Sequence, residues 1–298
     1  AGNLMISGGE IALKSGDDGI HSDAAVIVSG GSIDVQKSYE GVEGACVTIS
    51  GGVLSVAASD DGINAAGEMP ASATQATDGE TPPQAPDNGT ARQAPQSRGG
   101  MPGGGGFGRR GGMMMDANAD NVIRITGGSV YVNASGDGID SNGSVYIEGG
   151  RVVIDGPSNA GNGALDAGYD AIITGGVLIA AGAAGMETLP GSASAQPSIY
   201  AQTNLSKGDL FAVTDQNGAL ICAFTAAKSH RSVIVSAPSL TLNQQYALYK
   251  GGAADADADN GLYLSGAYTG GEKIADVMLT DTVTSTGAGN QRNNRWGW

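Results

Sequence analysis

Paired glycines return along this chain at Gly8, Gly30, Gly51, Gly127, Gly149 and Gly175, and their spacing limits what it can fold into. The first two intervals are 22 and 21 residues, the third is 76, and the fourth is 22 again. Removing a low-complexity stretch of about 54 residues from the third interval restores the period. The fifth interval, 26, reads as a coil with a few extra residues. A fixed period of this length marks a repeat architecture, in which each unit buries its apolar side only by stacking on its neighbours.

Within each repeat the apolar positions alternate, which is the period of a strand. Leu4 and Ile6, Val26 and Val28, Val47 and Ile49, Ile123 and Ile125, and Val145 and Ile147 precede the glycine pairs. Ile11 and Leu13, Ile33 and Val35, Leu54 and Val56, Val130 and Val132, and Val152 and Ile154 follow them. A third inward site falls at Ile20, Val42, Ile63 and Ile139. Three short strands per repeat predict an all-β fold, a parallel β-helix of about 22-residue coils, right-handed by precedent, with the glycine pair at one corner. The glycines belong there because the corner needs positive φ or close backbone approach. A leucine-rich repeat has a similar period, but its Leu-x-x-Leu-x-Leu signature is missing.

The period divides the chain into a β-helix over 1–194, interrupted by a low-complexity insert at about 66–119, and a C-terminal region over 195–286. That region carries strand-like runs and an Asp215-Gln216-Asn217-Gly218 hairpin turn, and is expected to form an antiparallel β cap on the last coil. The insert, with its Arg-Gly-Gly and Met runs, and the tail 287–298 have compositions expected to be flexible unless a neighbouring subunit orders them. Cys46 and Cys222 sit in apolar runs and are expected to be buried free thiols. No stretch approaches the ~20 apolar residues of a membrane span. The chain opens in mid-repeat, as a mature or trimmed fragment would, so the lack of a signal peptide does not argue for the cytoplasm.

Thirty acidic residues against 15 basic ones, a formal charge of −15, exclude a nucleic-acid surface and favour cations as partners. The acids are not scattered. Asp18, Glu40, Asp61 and Asp137 occupy one phase of the repeat, with Asn162 expected as the next member. Three residues on lies a mixed file of His21, Glu43, Asn64 and Asp140, with Asp166, four residues after Asn162, as its candidate next member. Asp17 and Asp60 flank the first ladder. Equivalent positions of stacked coils lie about 4.8 Å apart, so like charges there repel. A calcium ion takes six to eight oxygens at roughly 2.3–2.6 Å and resolves that repulsion. An all-oxygen donor set favours Ca²⁺ over zinc. Turn chemistry is the competing reading, since Asp supports Asx-turns and Gly takes the left-handed conformation. It explains one Asp-Gly well and Glu40 and Glu43 poorly. A second acidic run, Asp255, Asp257 and Asp259, has the opening spacing of a calcium loop but lacks its closing acid, and reads as a solvated hairpin tip.

The strings I-S-G-G-x-I-x-L and D-D-G-I-H-S-D, followed by L-F-A-V-T-D-Q-N-G, S-V-I-V-S-A-P-S-L and Q-Y-A-L-Y-K-G-G, resemble bacterial extracellular carbohydrate-binding β-helix domains. The likeness extends over nearly the whole chain apart from the insert and the last residues. It implies a pectate-lyase-like fold, calcium, an extracellular or cell-surface location, and cellulose or acidic sugars as partners. It implies calcium at Asp17, Asp18, Asp60, Asp61, Asp137 and Asp140; Glu40 and Glu43 fit by phase only. Three functions follow as expectations. The first is a secreted, calcium-binding, non-catalytic module for polysaccharide. The second is a self-associating subunit of an extracellular filament or surface layer. The third is a calcium-dependent polysaccharide lyase, with Lys14, Lys37, Arg124 and Arg151 as candidate bases. Tyr131 and Tyr146 fall at outward strand positions where a glycan could stack.

Overall fold

The computed structural model describes residues 2–68 and 117–287, so most of the expected insert and all but the first residue of the tail lie outside the described residues. The described chain holds strands and no helix. It forms a parallel β-solenoid with three walls. The first wall follows each glycine pair: residues 10–14 and 32–38, then Val53–Ala58, Ser129–Ala134, Arg151–Asp155 and Val177–Gly182, all in parallel register. The second follows each acidic turn: residues 20–22 and 42–44, then Ile63–Ala65, Ile139–Ser141 and Leu165–Ala167. The third leads into the next glycine pair: residues 4–6, 26–28 and 46–49, then Val122–Ile125, Ser144–Ile147 and Ala171–Ile173. Strand Ile63–Ala65 and strand Val122–Ile125 thus share one coil, although the insert separates them in sequence. Asn121 closes the neck between them, donating from Nδ2 to the carbonyls of Ala45 and Gly67.

The alternating Val, Ile and Leu positions all turn inward. Val26, Val56, Ile63, Val132, Ile139, Ile147 and Ile154 are fully or almost fully buried in one continuous core. β-branched residues suit this tube because each stacks on its equivalent one coil away without losing rotamers it would otherwise use. Each such side chain contributes about 1.5–3 kcal/mol on burial.

The glycines divide two tasks. The second glycine of each pair has positive φ, +88° at Gly9 and +96° at Gly31 for example. The first lies against the previous coil, so that a Cβ at Gly30 would stand 2.7 Å from the Ser7 carbonyl oxygen. The glycines of the acidic turns correct the turn reading. Gly19, Gly41, Gly62 and Gly138 are not left-handed. They are glycine because a Cβ there would enter the next coil, meeting the Gly41 carbonyl oxygen at 2.7 Å in the case of Gly19.

Beyond the last coil the first wall continues with reversed direction: His230–Ser236 pairs antiparallel with Val177–Gly182, and Ser198–Leu205 pairs antiparallel with His230–Ser236. The connecting segment satisfies the last carbonyls of the other two walls through Thr188 to Leu165, Gly191 to Ala171 and Gln196 to Ile173. Tyr200 and Ile234 join the solenoid core. The expected cap is therefore present, and it does more than close an end. A five-stranded antiparallel sheet, in the order Leu262–Tyr263, Leu220–Thr225, Leu210–Asp215, Gln245–Lys250 and Glu272–Met278, packs against the outer surface of the first wall. Val153, Ile179 and Ala181, which point away from the tube, are buried there with Phe211, Val213 and Phe224. The Asp215–Gly218 hairpin turn forms as the sequence predicts, with Asp215 Oδ1 accepting the amides of Asn217 and Ala219. Cys46 and Cys222 are buried and free.

Substituting Gly62 by Ala drives a Cβ into Val132 and to 2.5 Å from the Gly138 carbonyl oxygen, whereas Gly8 has open space around it. Gly62→Ala is expected to cost about 1–3 kcal/mol in denaturant unfolding. Gly8→Ala is expected to stay within about 0.5 kcal/mol of the parent.

Candidate metal centre

Successive coils place their acidic turns directly over one another. The amide of Gly19 bonds the carbonyl of Glu40, Gly41 that of Asp61, and Gly62 that of Asp137. This stacks Asp18, Glu40, Asp61 and Asp137 as the phase predicts. The next rung is Gly163, whose carbonyl accepts from Gly138, so Asn162 is not the successor; the extra residues of the longer coil displace it. The second file is realised rung by rung: His21 pairs with Glu43, Glu43 with Asn64, Asn64 with Asp140, and Asp140 with Asp166.

The column resolves into two groups. At the exposed end, one ligand atom each of Asp18, His21 and Glu43 lies within 4.8 Å of the others. Here an imidazole stands among the carboxylates. His21 Nδ1 lies 2.6 Å from Glu43 Oε2 and 3.4 Å from Asp18 Oδ2, and Nε2 lies 3.3 Å from Asp23. Partial burial opposes protonation of this imidazole, but hydrogen bonds to Asp23 and Glu43 and the charges of Glu43 and Asp18 outweigh it and raise its pKa. Asp17 belongs to neither group; its amide bonds the Ser15 hydroxyl and its carbonyl takes the Tyr39 amide.

Deeper in the stack, Asp61, Asp137 and Asp140 also bring one oxygen each within 4.8 Å of the others. They are 8 %, 7 % and 1 % exposed, and the charged groups acting on them are all acids. Two like charges at that separation repel by roughly 3–4 kcal/mol at an effective dielectric of about 20. The backbone offsets part of this. Asp61 Oδ1 accepts the Asp137 amide at 2.6 Å, and Asp137 Oδ1 accepts the Gly163 amide at 2.5 Å. Gly136 lets both Asp60 and Asp61 lie against the turn, because a Cβ there would meet Asp60 Oδ1 at 2.5 Å. Two buried oxygens on adjacent rungs have no hydrogen-bond partner among the described residues: Asp140 Oδ2 and Asn64 Oδ1. Asn64 is held by its amide nitrogen, which donates to Glu40 Oε2 at 3.0 Å.

The protonation behaviour follows. Burial, then the charges of Asp61, Asp137, Asp166 and Glu40, push the Asp140 carboxyl up to about 8. Burial pushes Asp137 to about 7 against the Gly163 amide, with Asp61, Asp166 and Asp60 adding to it. Asp61 rises to about 6, again by burial first and against the Asp137 amide. Glu40 rises to about 7 by burial, which the Asn64 hydrogen bond opposes. A set of three carboxylates and an amide oxygen, buried together with two unpartnered acceptors, has the donor chemistry of a hard-cation site. Asn64 is the member that residue-type reasoning undervalued, although it stood in phase, whereas Asp166 reaches the file only through the extra residues of the longer coil.

The other sequence candidates are dispersed. Arg124 pairs with Glu148 and lies 4.4 Å over the Tyr146 ring, so both the cation and one aromatic face are committed. Arg151 pairs with Asp259 at 3.3 Å. Asp259 also accepts from Ser129, which corrects the solvated-tip reading: this end of the 255–261 run docks on the first wall, while Asp255 and Asp257 are exposed. Lys14 and Lys37 stand on adjacent rungs, both exposed. Tyr131 is not an open platform; the C-terminal sheet half-buries it and its hydroxyl donates to Asp155 at 3.0 Å.

A family model described as carbohydrate-binding domain-containing protein matches residues 1–89. That span holds the turns from Asp17 to Asp61 and is less than a third of the chain, narrower than the near-full-length resemblance expected. No curated protein and no solved structure was found to match the chain.

In chelator-treated protein, stability is expected to fall as pH rises from 5 to 8. The folded-state pKa values of Asp61, Glu40, Asp137 and Asp140, about 6 to about 8, lie above the usual carboxylate range. The folded chain therefore holds more protons than the unfolded chain in that window, and stability present below about pH 4 is lost as pH climbs through these values. Thermal melts across the range check this, and Asp140→Asn is expected to raise the pH 8 midpoint toward the pH 5 one.

Proposed function

We propose that this chain is a secreted, calcium-binding and carbohydrate-binding module of the cell surface, without catalytic activity of its own. The observation that carries the calcium reading is the buried trio Asp61, Asp137 and Asp140, with the unpartnered oxygens of Asp140 and Asn64 beside it. These four residues would hold the ion, with Asp60 and Glu40 as flanking charge. When bound, calcium supplies the positive charge that the stack lacks and ties successive coils together. The end group of Asp18 and Glu43 takes a different part, because the His21 imidazole already lies between them. The similarity of residues 1–89 to a carbohydrate-binding family supports glycan recognition. The engagement of Arg124 and Arg151 in ion pairs speaks against their use as lyase bases.

Thermal unfolding with and without calcium after chelator treatment tests the metal part. An ion that binds only the folded state at one hundred times its Kd contributes about 2.7 kcal/mol. A concentration-dependent rise in midpoint is expected, strongly reduced in Asp137→Asn/Asp140→Asn. No shift up to millimolar calcium would sink the metal reading. A glycan array in calcium buffer tests the other part, with binding to polyuronate or cellulose expected and a blank array counting against it.

A further inference from the structure

The two ends of the solenoid differ. At the far end the reversed strands and the connecting segment close all three walls. At the near end residues 4–6 and 10–14 pair only with the coil that follows, and among the described residues no strand lies on their other side. Leu4, Ile6, Ile11 and Leu13 are half-buried there. Their counterparts one coil on, Val26, Val28, Ile33 and Val35, are at most 1 % exposed. Gly8, Gly9 and Gly16 have open space around them, whereas a Cβ at Gly30 meets the Ser7 carbonyl. An edge that carries unpaired backbone donors and acceptors beside an open apolar core is a template for another strand.

The residues of that edge say which strand. Glu10-Ile11-Ala12-Leu13-Lys14 is complementary to its own reverse. In an antiparallel pair of two copies centred on Ala12, Glu10 faces Lys14 of the partner subunit, and Lys14 faces Glu10 of the partner subunit. Ile11 and Leu13, which both pack on the core, face one another and carry it across the join. The pairing also answers an unmet charge. Lys14 and Lys37 stand on adjacent rungs, and among the described residues neither is in an ion pair, unlike Lys250 and Lys273. The Gly8–Gly9 corner and the Asp17–Asp18 turn flank strand 10–14 on opposite sides. A two-fold axis at Ala12 therefore lays each acidic turn over the partner's glycine corner, whereas an axis through residues 4–6 would set acid against acid.

We propose that the open end is a head-to-head interface between two copies of this chain, with strands 10–14 paired antiparallel about Ala12. Such an interface is self-complementary and closes, and because the far end is capped, association stops at two. The inference goes beyond the calcium and carbohydrate readings and stands independently of both.

Sedimentation velocity of the full chain from about 1 to about 100 µM, in calcium and in chelator, tests it. A reversible dimer is expected in both buffers. Glu10 and Lys14 are exposed, so Glu10→Lys and Lys14→Glu are expected to leave the melting temperature unchanged. The two-fold axis repeats each change, so each variant sets like charges opposite one another twice and is expected to weaken dimerisation about tenfold or more. An equimolar mixture of the two variants is expected to form a heterodimer, and Glu10→Lys/Lys14→Glu to dimerise within about threefold of the parent. A parent that stays monomeric throughout would overturn the interface and leave the edge to another occupant. Species growing beyond two chains would overturn the head-to-head arrangement. Single variants that dimerise as the parent does, or a mixture that associates no better than either alone, would overturn the pairing about Ala12.

Discussion

Stacking identical turns one strand spacing apart brings together whatever those turns carry, and in this chain they carry carboxylates. The repeat that makes the hydrophobic tube efficient therefore also builds a column of like charge. Three devices in the structure bear on that charge. Backbone amides of the next coil reach the Asp61 and Asp137 carboxylates. The His21 imidazole stands between Glu43 and Asp18 at the open end. Protonation is favoured in the interior, where Asp140 is pushed up to about 8. None of these gives the oxygens of Asp140 and Asn64 a partner. A buried acceptor left so costs about 1–3 kcal/mol, more when charged, and the cation proposed above would relieve both the orphaned acceptors and the repulsion.

The glycines are the other half of the same constraint. At the acidic turns they are required by proximity rather than by backbone conformation: Gly41, Gly62 and Gly138 each face a carbonyl of the adjoining coil that no Cβ could tolerate. Close approach sets the rung spacing, and the rung spacing sets the distance between carboxylates. Stability and the candidate site thus share residues, and the pair Asp-Gly serves both.

Much of this was legible in the sequence because a solenoid converts phase into position. The inward Val and Ile sites, the three walls and the file from His21 to Asp140 could all be counted from the glycine pairs, and the register agrees. Counting failed where the period did. The longer coil put Gly163, not Asn162, on the next rung. The C-terminal sheet has no repeat, so nothing in the sequence said that it would fold back onto Val153 and Ile179, cover Tyr131 or draw Asp259 to Arg151. Nor does residue type distinguish Glu43, hydrogen-bonded to His21, from Asp140, whose Oδ2 has no partner; that difference comes from depth in the stack.

The cation proposed for the inner acidic group is tested most directly by anomalous diffraction from crystals grown in calcium. A peak is predicted among Asp61, Asp137 and Asp140, with Asp140 Oδ2 and Asn64 Oδ1 about 2.3–2.6 Å from it. A structure at saturating calcium with no peak there, and Asp140 sharing a proton with a neighbouring oxygen, would contradict it.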